Sequence, residues 1–343
     1  MFQAVAKAVT AVNPTQSSPF RRIAVCVDGS EVGEAVVRHA SSIGAGLGTP
    51  LTVVRVLEPD ANADAIPPDP LDWDLRQREG RAYLKRLVSL AGERHADVQS
   101  ELILGRAAEQ ICGWALRHGA DLTALASHGE HGRSEWRLSG TARKLVDGAP
   151  GSLLLVPVNA SRHVAGTVGY RRIMVPLDGS ARAESVLPMA SRLAKVHAAE
   201  LLIAHVTPAP ELTRVAPLSA QDLELEQRVS ARNERVARAY LDEIRGRLSA
   251  AGLNVRTVIS RDGDVRARLA RLVRREQVDL VILSAYDHHG ARDVPCGSVV
   301  AHLLTHVAVP LLVVRERPRR ILKRLAQDAA MRAAARSPAQ AAS

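Results

Sequence analysis

The sequence predicts an α/β protein made of two tandem open parallel five-stranded sheets, each flanked by helices. Three observations point there. The stretch RRIAVCVDGS (21–30) returns as RRIMVPLDGS (171–180). Two further echoes follow, ADLTALASHG (120–129) with VDLVILSAYD (278–287) and SGTARKLVDGAPGSLLLVPV (139–158) with CGSVVAHLLTHVAVPLLVVRE (296–316), and the offset stays between 150 and 158 residues across all three pairs. A period of domain size marks a duplication, not a solenoid of short repeats. Within each copy, short and nearly continuous apolar runs alternate with amphipathic ones. That is the pattern of a parallel sheet covered on both faces.

In the first copy RIAVCV is the opening strand, followed by EVGEAVVRHASSIGAGL, a helix with Ala35, Val36, His39 and Ala40 on one face. PLTVVRVLE is the second strand. A loop rich in Pro and Asp, PDANADAIPPDPLD, then precedes a long helix with Leu84, Leu87, Val88 and Ala91 at i, i+3, i+4 and i+7. DVQSELILG is the third strand, and Ile111, Trp114, Ala115 and His118 mark the next helix face. DLTALAS, GTARKLVDGA and SLLLVPV complete the unit as strand, helix and strand. The second copy repeats this order, and its long helix is expected to run through Val229, Val236, Tyr240 and Ile244. The resulting plan is a flexible leader (1–19), a first unit (20–158), a small polar linker (159–169), a second unit (170–316) and a basic tail (317–343).

Length and composition agree with this plan. A chain of 343 residues is comfortable for two domains. Aromatic residues make up 3% and hydrophobic ones 46%, so the core must be built from Val, Leu, Ile and Ala. No apolar run approaches the roughly 20 residues that span a bilayer. The first 20 residues lack a convincing apolar signal core and read as a leader. The three cysteines, Cys26, Cys112 and Cys296, are isolated in sequence. They read as small buried hydrophobes in a reducing compartment, with neither a disulfide framework nor a zinc site, and a cytoplasmic location is expected.

The formal net charge of +10 is uneven: residues 1–160 hold 17 basic and 18 acidic side chains, the remainder 29 and 18. From Arg315 onward there are 8 basic and 2 acidic residues. Charge gathered in a tail argues against a basic domain surface made for nucleic acid. The tail is expected to form a short basic helix with Ile321, Leu322, Leu325 and Ala329 as its narrow apolar stripe. It reads as solvated rather than docked on a membrane.

In an open parallel sheet, ligands bind at the carboxyl ends of the strands. Asp28 and Asp178 end the first strands of the two units, and Val56 and Val206 end the second strands. After the fourth strands come ASHGEHGRSEWRLSGT and SAYDHHGARDVPCGSV. A strand-end carboxylate can accept a hydrogen bond from an exocyclic amine or a ribose hydroxyl. Glycines let the backbone approach phosphate oxygens closely. Gly140-Thr141 and Gly297-Ser298 stand at expected helix N-termini, which favour an anion, and His128 or Arg133 could add charge. The plainer reading of each Asp-Gly-Ser is a strand-to-helix connection capped by Asp or Ser. GAGLG (44–48) ends a helix instead of opening one after a strand, so it is not a dinucleotide fingerprint. His128 with His131, and His288 with His289, lack the carboxylate or Cys spacing that would complete a metal site. No catalytic or metal-binding residue is assigned.

Both copies resemble the universal stress protein domain, over residues 20–158 and 170–316, so the chain looks like a tandem member. The resemblance implies a Rossmann-like, adenine-nucleotide-binding fold. The family's nucleotide-binding subgroup carries G-x-x-G, nine residues, then G-[ST], together with an Asp after the first strand and the last Val of the second. Carried over, the first unit offers Asp28, Val56, Leu125, Gly129, Gly140, Thr141 and Ala142. Ala126 stands for the first Gly, and ten residues separate Gly129 from Gly140. The second unit offers Asp178, Val206, Leu283, Gly297, Ser298 and Val299, with Ser284 and Asp287 in place of the two glycines.

The resemblance thus implies ATP or a related adenine nucleotide, better held in the first unit, with magnesium as a candidate companion. It also places the apolar fifth strands, Leu153–Val156 and Leu311–Val314, at sheet edges. An exposed edge invites pairing. An intramolecular pseudo-dimer is therefore expected, with a homodimer and an unidentified protein partner as further options. The function implied is stress response through nucleotide binding, conformation or partners. One alternative is a nucleotide-free tandem scaffold. Another is an ATP-using enzyme, but such enzymes carry S-G-G-x-D-S after the first strand, and VDGSEV and LDGSAR do not supply it.

Overall fold

The computed structural model describes residues 19–58, 70–93, 95, 97–127, 140–158, 160, 168–210, 219–261, 263–285 and 297–315. The first half runs β1 (Ile23–Val27), α1 (Val32–Leu47), β2 (Leu51–Leu57), α2 (Pro70–Gly92), β3 (Val98–Leu104), α3 (Ala107–Arg117), β4 (Leu122–Ala126), α4 (Gly140–Gly148) and β5 (Ser152–Val156). The second half runs β6 (Arg172–Pro176), α5 (Ala181–Glu184), α6 (Leu187–His197), β7 (Glu200–Thr207), α7 (Ala220–Ala250), β8 (Val255–Arg261), α8 (Val265–Arg275), β9 (Leu280–Ala285), α9 (Ser298–His306) and β10 (Leu311–Arg315). The leader up to residue 18, most of the linker and the tail lie outside the described residues.

The two five-stranded parallel sheets join into one sheet of ten strands, in the order β3-β2-β1-β4-β5-β10-β9-β6-β7-β8. The join is antiparallel: Leu311 pairs with Leu155, Leu312 with Leu154 and Val313 with Leu153. The apolar edge strands cover one another, which removes two unpaired edges at once. Side chains alternate between two cores. Ile23, Val25 and Val27 face the layer of α1, α2, α6 and α7, while Ala24 and Cys26 face that of α3, α4, α8 and α9. Each core is continuous across both halves.

The helix faces follow the apolar spacing in most places. Ala35, Val36, His39 and Ala40 are all buried on α1, and Gly48 closes that helix in a left-handed cap. In the second half the equivalent segment is broken into α5 and α6. Pro188 stands in the first turn of α6, and its ring cannot follow the carbonyl of Glu184 in a continuous helix. The long helix α7 runs through Val229, Val236, Tyr240 and Ile244 as expected. Its inward face is Ala237, Leu241, Ile244 and Leu248, whereas Val236 is 56% exposed. One residue is about 100° of helix rotation, so Val236 flanks the buried stripe.

The two sequence echoes RR and (A/V)DL are partners in space. Buried Asp121 accepts the backbone N–H of Arg21 (2.8 Å) and of Arg22 (3.4 Å). Asp279 accepts those of Arg171 (2.7 Å) and Arg172 (2.9 Å). Each carboxylate pins the start of the central strand to the start of its neighbour.

Candidate nucleotide site

The crevice of such a sheet opens where the strand order reverses. In the first half that point lies between β1 and β4. Their pairing runs from Ile23↔Leu122 to Val25↔Ala124 and stops there. On either side the sheet continues: β1 stays paired with β2 to Val27↔Arg55, and β4 with β5 to Ala126↔Val156. The second half splits earlier. There β6 and β9 pair only at Ile173↔Leu280 and Met174↔Val281, while β9 and β10 continue to Ala285↔Arg315.

Asp28 and Asp178 follow the central strands into these splits, and both are exposed. Each first closes a turn. Ser30 donates to Asp28 Oδ1 through its N–H (3.0 Å) and its hydroxyl (2.6 Å). Ser180 donates its N–H to Asp178 Oδ1 (2.9 Å), and its hydroxyl oxygen also accepts from the Ala183 N–H (3.1 Å) and caps α5. Burial by itself would raise the Asp178 pKa; the Ser180 hydrogen bonds and the charge of Arg182 outweigh it and hold the carboxyl below the usual range.

Other groups at the mouths differ between the halves. Arg55, next to Val56, lays its guanidinium over Gly29. A methyl group on Gly29 would lie 2.9 Å from a guanidinium nitrogen, and φ there is +102°. The same guanidinium carbon is 5.1 Å from the centre of the Tyr83 ring. Arg55 Nε is buried with no hydrogen-bond partner among the described residues. Tyr83 donates its hydroxyl to the Ser30 carbonyl (3.3 Å). Burial, then the Asp28 charge, push the Tyr83 pKa up to about 12 despite Arg55 and Arg86. The second half has His205 at the Arg55 position, with Nδ1 2.8 Å from the Leu177 carbonyl oxygen.

The helices expected to open at Gly140 and Gly297 are present. Gly140 and Thr141 open α4 and are exposed, with Ala142 buried behind them. Gly297 caps α9 at φ +85°, a conformation that excludes most side chains, and Ser298 is exposed beside it. Among the described residues, a β-carbon on either Gly140 or Gly297 would meet nothing within 4 Å. Val56, Ala126 and Val299 are half-buried and Val206 is 7% exposed. Leu125 and Leu283 send their side chains into the core, which leaves only their backbone for a ligand. Gly129, Asp287, His128, His131, Arg133, His288 and His289 lie outside the described residues. Arg55 and Tyr83 were missed from sequence; the one signal was an Arg inside an otherwise apolar strand. Among the described residues no three His, Cys, Asp or Glu side chains gather as a metal site, and no helix is long and apolar enough to cross a membrane.

A family model described as the universal stress protein family matches residues 19–157 and again 169–315. The chain belongs to the universal stress protein family. A universal stress protein of Mycobacterium tuberculosis (strain H37Rv) is 24% identical over 308 residues, covering 86% of this chain and 97% of that one. Among solved structures, a protein of unknown function from Pseudomonas aeruginosa PAO1 superposes with a TM-score of 0.60 at 14% identity, covering 92% of this chain and 98% of that one. A universal stress protein from Archaeoglobus fulgidus gives a TM-score of 0.60 at 15% identity, covering 86% and 96%. These likenesses extend the universal stress protein fold over both halves.

Proposed function

We propose that this universal stress protein binds ATP or a related adenine nucleotide at the split between β1 and β4, and acts in stress response through conformation or partner binding rather than catalysis. The units are taken as residues 20–158 and 170–316. The observation that supports the reading most is the loss of pairing after Val25↔Ala124 beside an intact outer sheet. A flat ligand needs such a gap. Asp28 would accept a hydrogen bond from the adenosine. Gly140 and Thr141 would offer backbone N–H groups to the phosphates, and magnesium would travel with those phosphates. Arg55 supplies a cation at the same mouth.

The competing reading is a nucleotide-free scaffold. In its favour, the carboxylates of Asp28 and Asp178 already serve their own turns. Absorbance and mass spectrometry of the purified protein, followed by calorimetric titration with ATP, separate the two. Co-purified or titratable adenine nucleotide supports binding; neither supports the scaffold.

A further inference from the structure

We propose that Arg315, at the end of the last strand of the second half, is a positioning residue for the nucleotide site of the first half and acts through α4. This rests on the reading of that site as a nucleotide site. Helix α4 connects the carboxyl end of β4 to the start of β5. Its N-terminal Gly140–Ala142 therefore lie at the ligand end, and its C-terminus lies at the far end of the sheet.

The last carbonyls of a helix have no partner within it. Here the other half of the chain meets them. Arg315 is 8% exposed. Its backbone N–H donates to the Ser152 hydroxyl (3.2 Å), and its guanidinium donates to the carbonyls of Ala149 (3.4 Å) and Val146. A cation at that end also complements the negative pole of the helix. The contact runs one way. The matching residue of the first half is Pro157, with neither cation nor N–H to give. The end of α9 is met from within its own half, by Arg274 Nη1 on the His306 carbonyl (3.0 Å). So the helix that would hold the phosphates in the first site is clamped by the second half, whereas the contact described at the end of its counterpart comes from the same half.

The test uses the full chain. Arg315→Met removes the cation and keeps an apolar stem; Arg315→Lys keeps the charge. ATP is titrated calorimetrically in an Asp178→Ala background to report the first site, and in an Asp28→Ala background to report the second. Hydrogen exchange of α4 amides is followed without nucleotide. The expected result for Arg315→Met is faster α4 exchange and roughly three- to tenfold weaker ATP binding at the first site. The second site should not change, and Arg315→Lys should recover most of the loss. Unchanged α4 exchange, unchanged affinity at the first site, or equal losses at both sites overturns the proposal. No ATP binding by the unsubstituted chain defeats the nucleotide reading itself and the proposal with it; α4 exchange then still tells whether the clamp exists.

Discussion

Nδ1 of His39 lies 3.0 Å from the hydroxyl of Tyr170, and both side chains are almost wholly buried in the seam between the halves. His39 comes from α1 and Tyr170 from the segment that enters β6. The same Tyr170 ring meets His197 of α6 edge-on, with centroids 4.9 Å apart. Ser42 donates to the Val168 carbonyl beside them (2.9 Å). The seam is thus polar here, under a sheet joined by apolar strands.

Burial lowers the His39 pKa from 6.5 to about 4. Between those values the unfolded chain binds more protons than the folded one. The contribution of neutral His39 is therefore complete above about pH 6.5, falls as the pH drops toward about 4, and changes no further below it. The loss is at most about 3.5 kcal/mol, from roughly 1.4 kcal/mol per pKa unit. Urea unfolding of His39→Gln should show a smaller loss of stability between pH 7 and pH 4.5 than the unsubstituted chain. An equal loss in both would remove His39 from the acid response.

Asp121→Ala should destabilise the protein by about 2 kcal/mol, because it strands the N–H groups of Arg21 and Arg22 at the start of β1. Asp121→Asn keeps an acceptor oxygen and should cost less. Chemical unfolding midpoints rank the two, and equal midpoints would contradict the role given to the carboxylate.

Gly297→Ala and Gly140→Ala make a matched pair. Neither added methyl group meets an atom of the described residues within 4 Å, but only Gly297 has a positive φ, +85°. Gly297→Ala should cost about 1 kcal/mol of stability, whereas Gly140→Ala should be nearly neutral. Thermal unfolding of both variants checks this, and indistinguishable melting temperatures would contradict it.

The duplication and the element order were legible because they rest on local apolar patterns, and the pairing of the fifth strands followed from the edge positions that the family resemblance implied. Leu153–Val156 and Leu311–Val314 are uniformly apolar, and only a covered strand tolerates that. Contacts between distant side chains were less legible. RR and (A/V)DL were visible as repeats, yet that Asp121 binds Arg21 across 100 residues is a property of the sheet order. Val236 lies in the expected helix but off its buried stripe, which apolar spacing alone does not tell because adjacent helix residues point about 100° apart. Arg315 abuts a basic run in the sequence, and only the antiparallel seam turns it inward. In the candidate site the strand-end Asp residues and the helix-opening glycines were legible. The guanidinium of Arg55 over Gly29 was not, because side-chain direction above a turn leaves no local pattern.

The central claim is that the first half holds the better nucleotide site. Each strand-end Asp acts on a tyrosine of its long helix, Asp28 on Tyr83 and Asp178 on Tyr240, but only the first half adds a guanidinium, Arg55, where the second has His205 at the Leu177 carbonyl. Asp287, outside the described residues, takes the place of a phosphate-loop glycine in the second half. A carboxylate about 4 Å from a phosphate oxygen costs roughly 1–4 kcal/mol, depending on the effective dielectric. The most direct measurement is calorimetric titration of ATP into full-length Asp28→Ala and Asp178→Ala. The account predicts a loss of affinity about tenfold or more greater for Asp28→Ala. Equal losses, or a larger loss for Asp178→Ala, would contradict it.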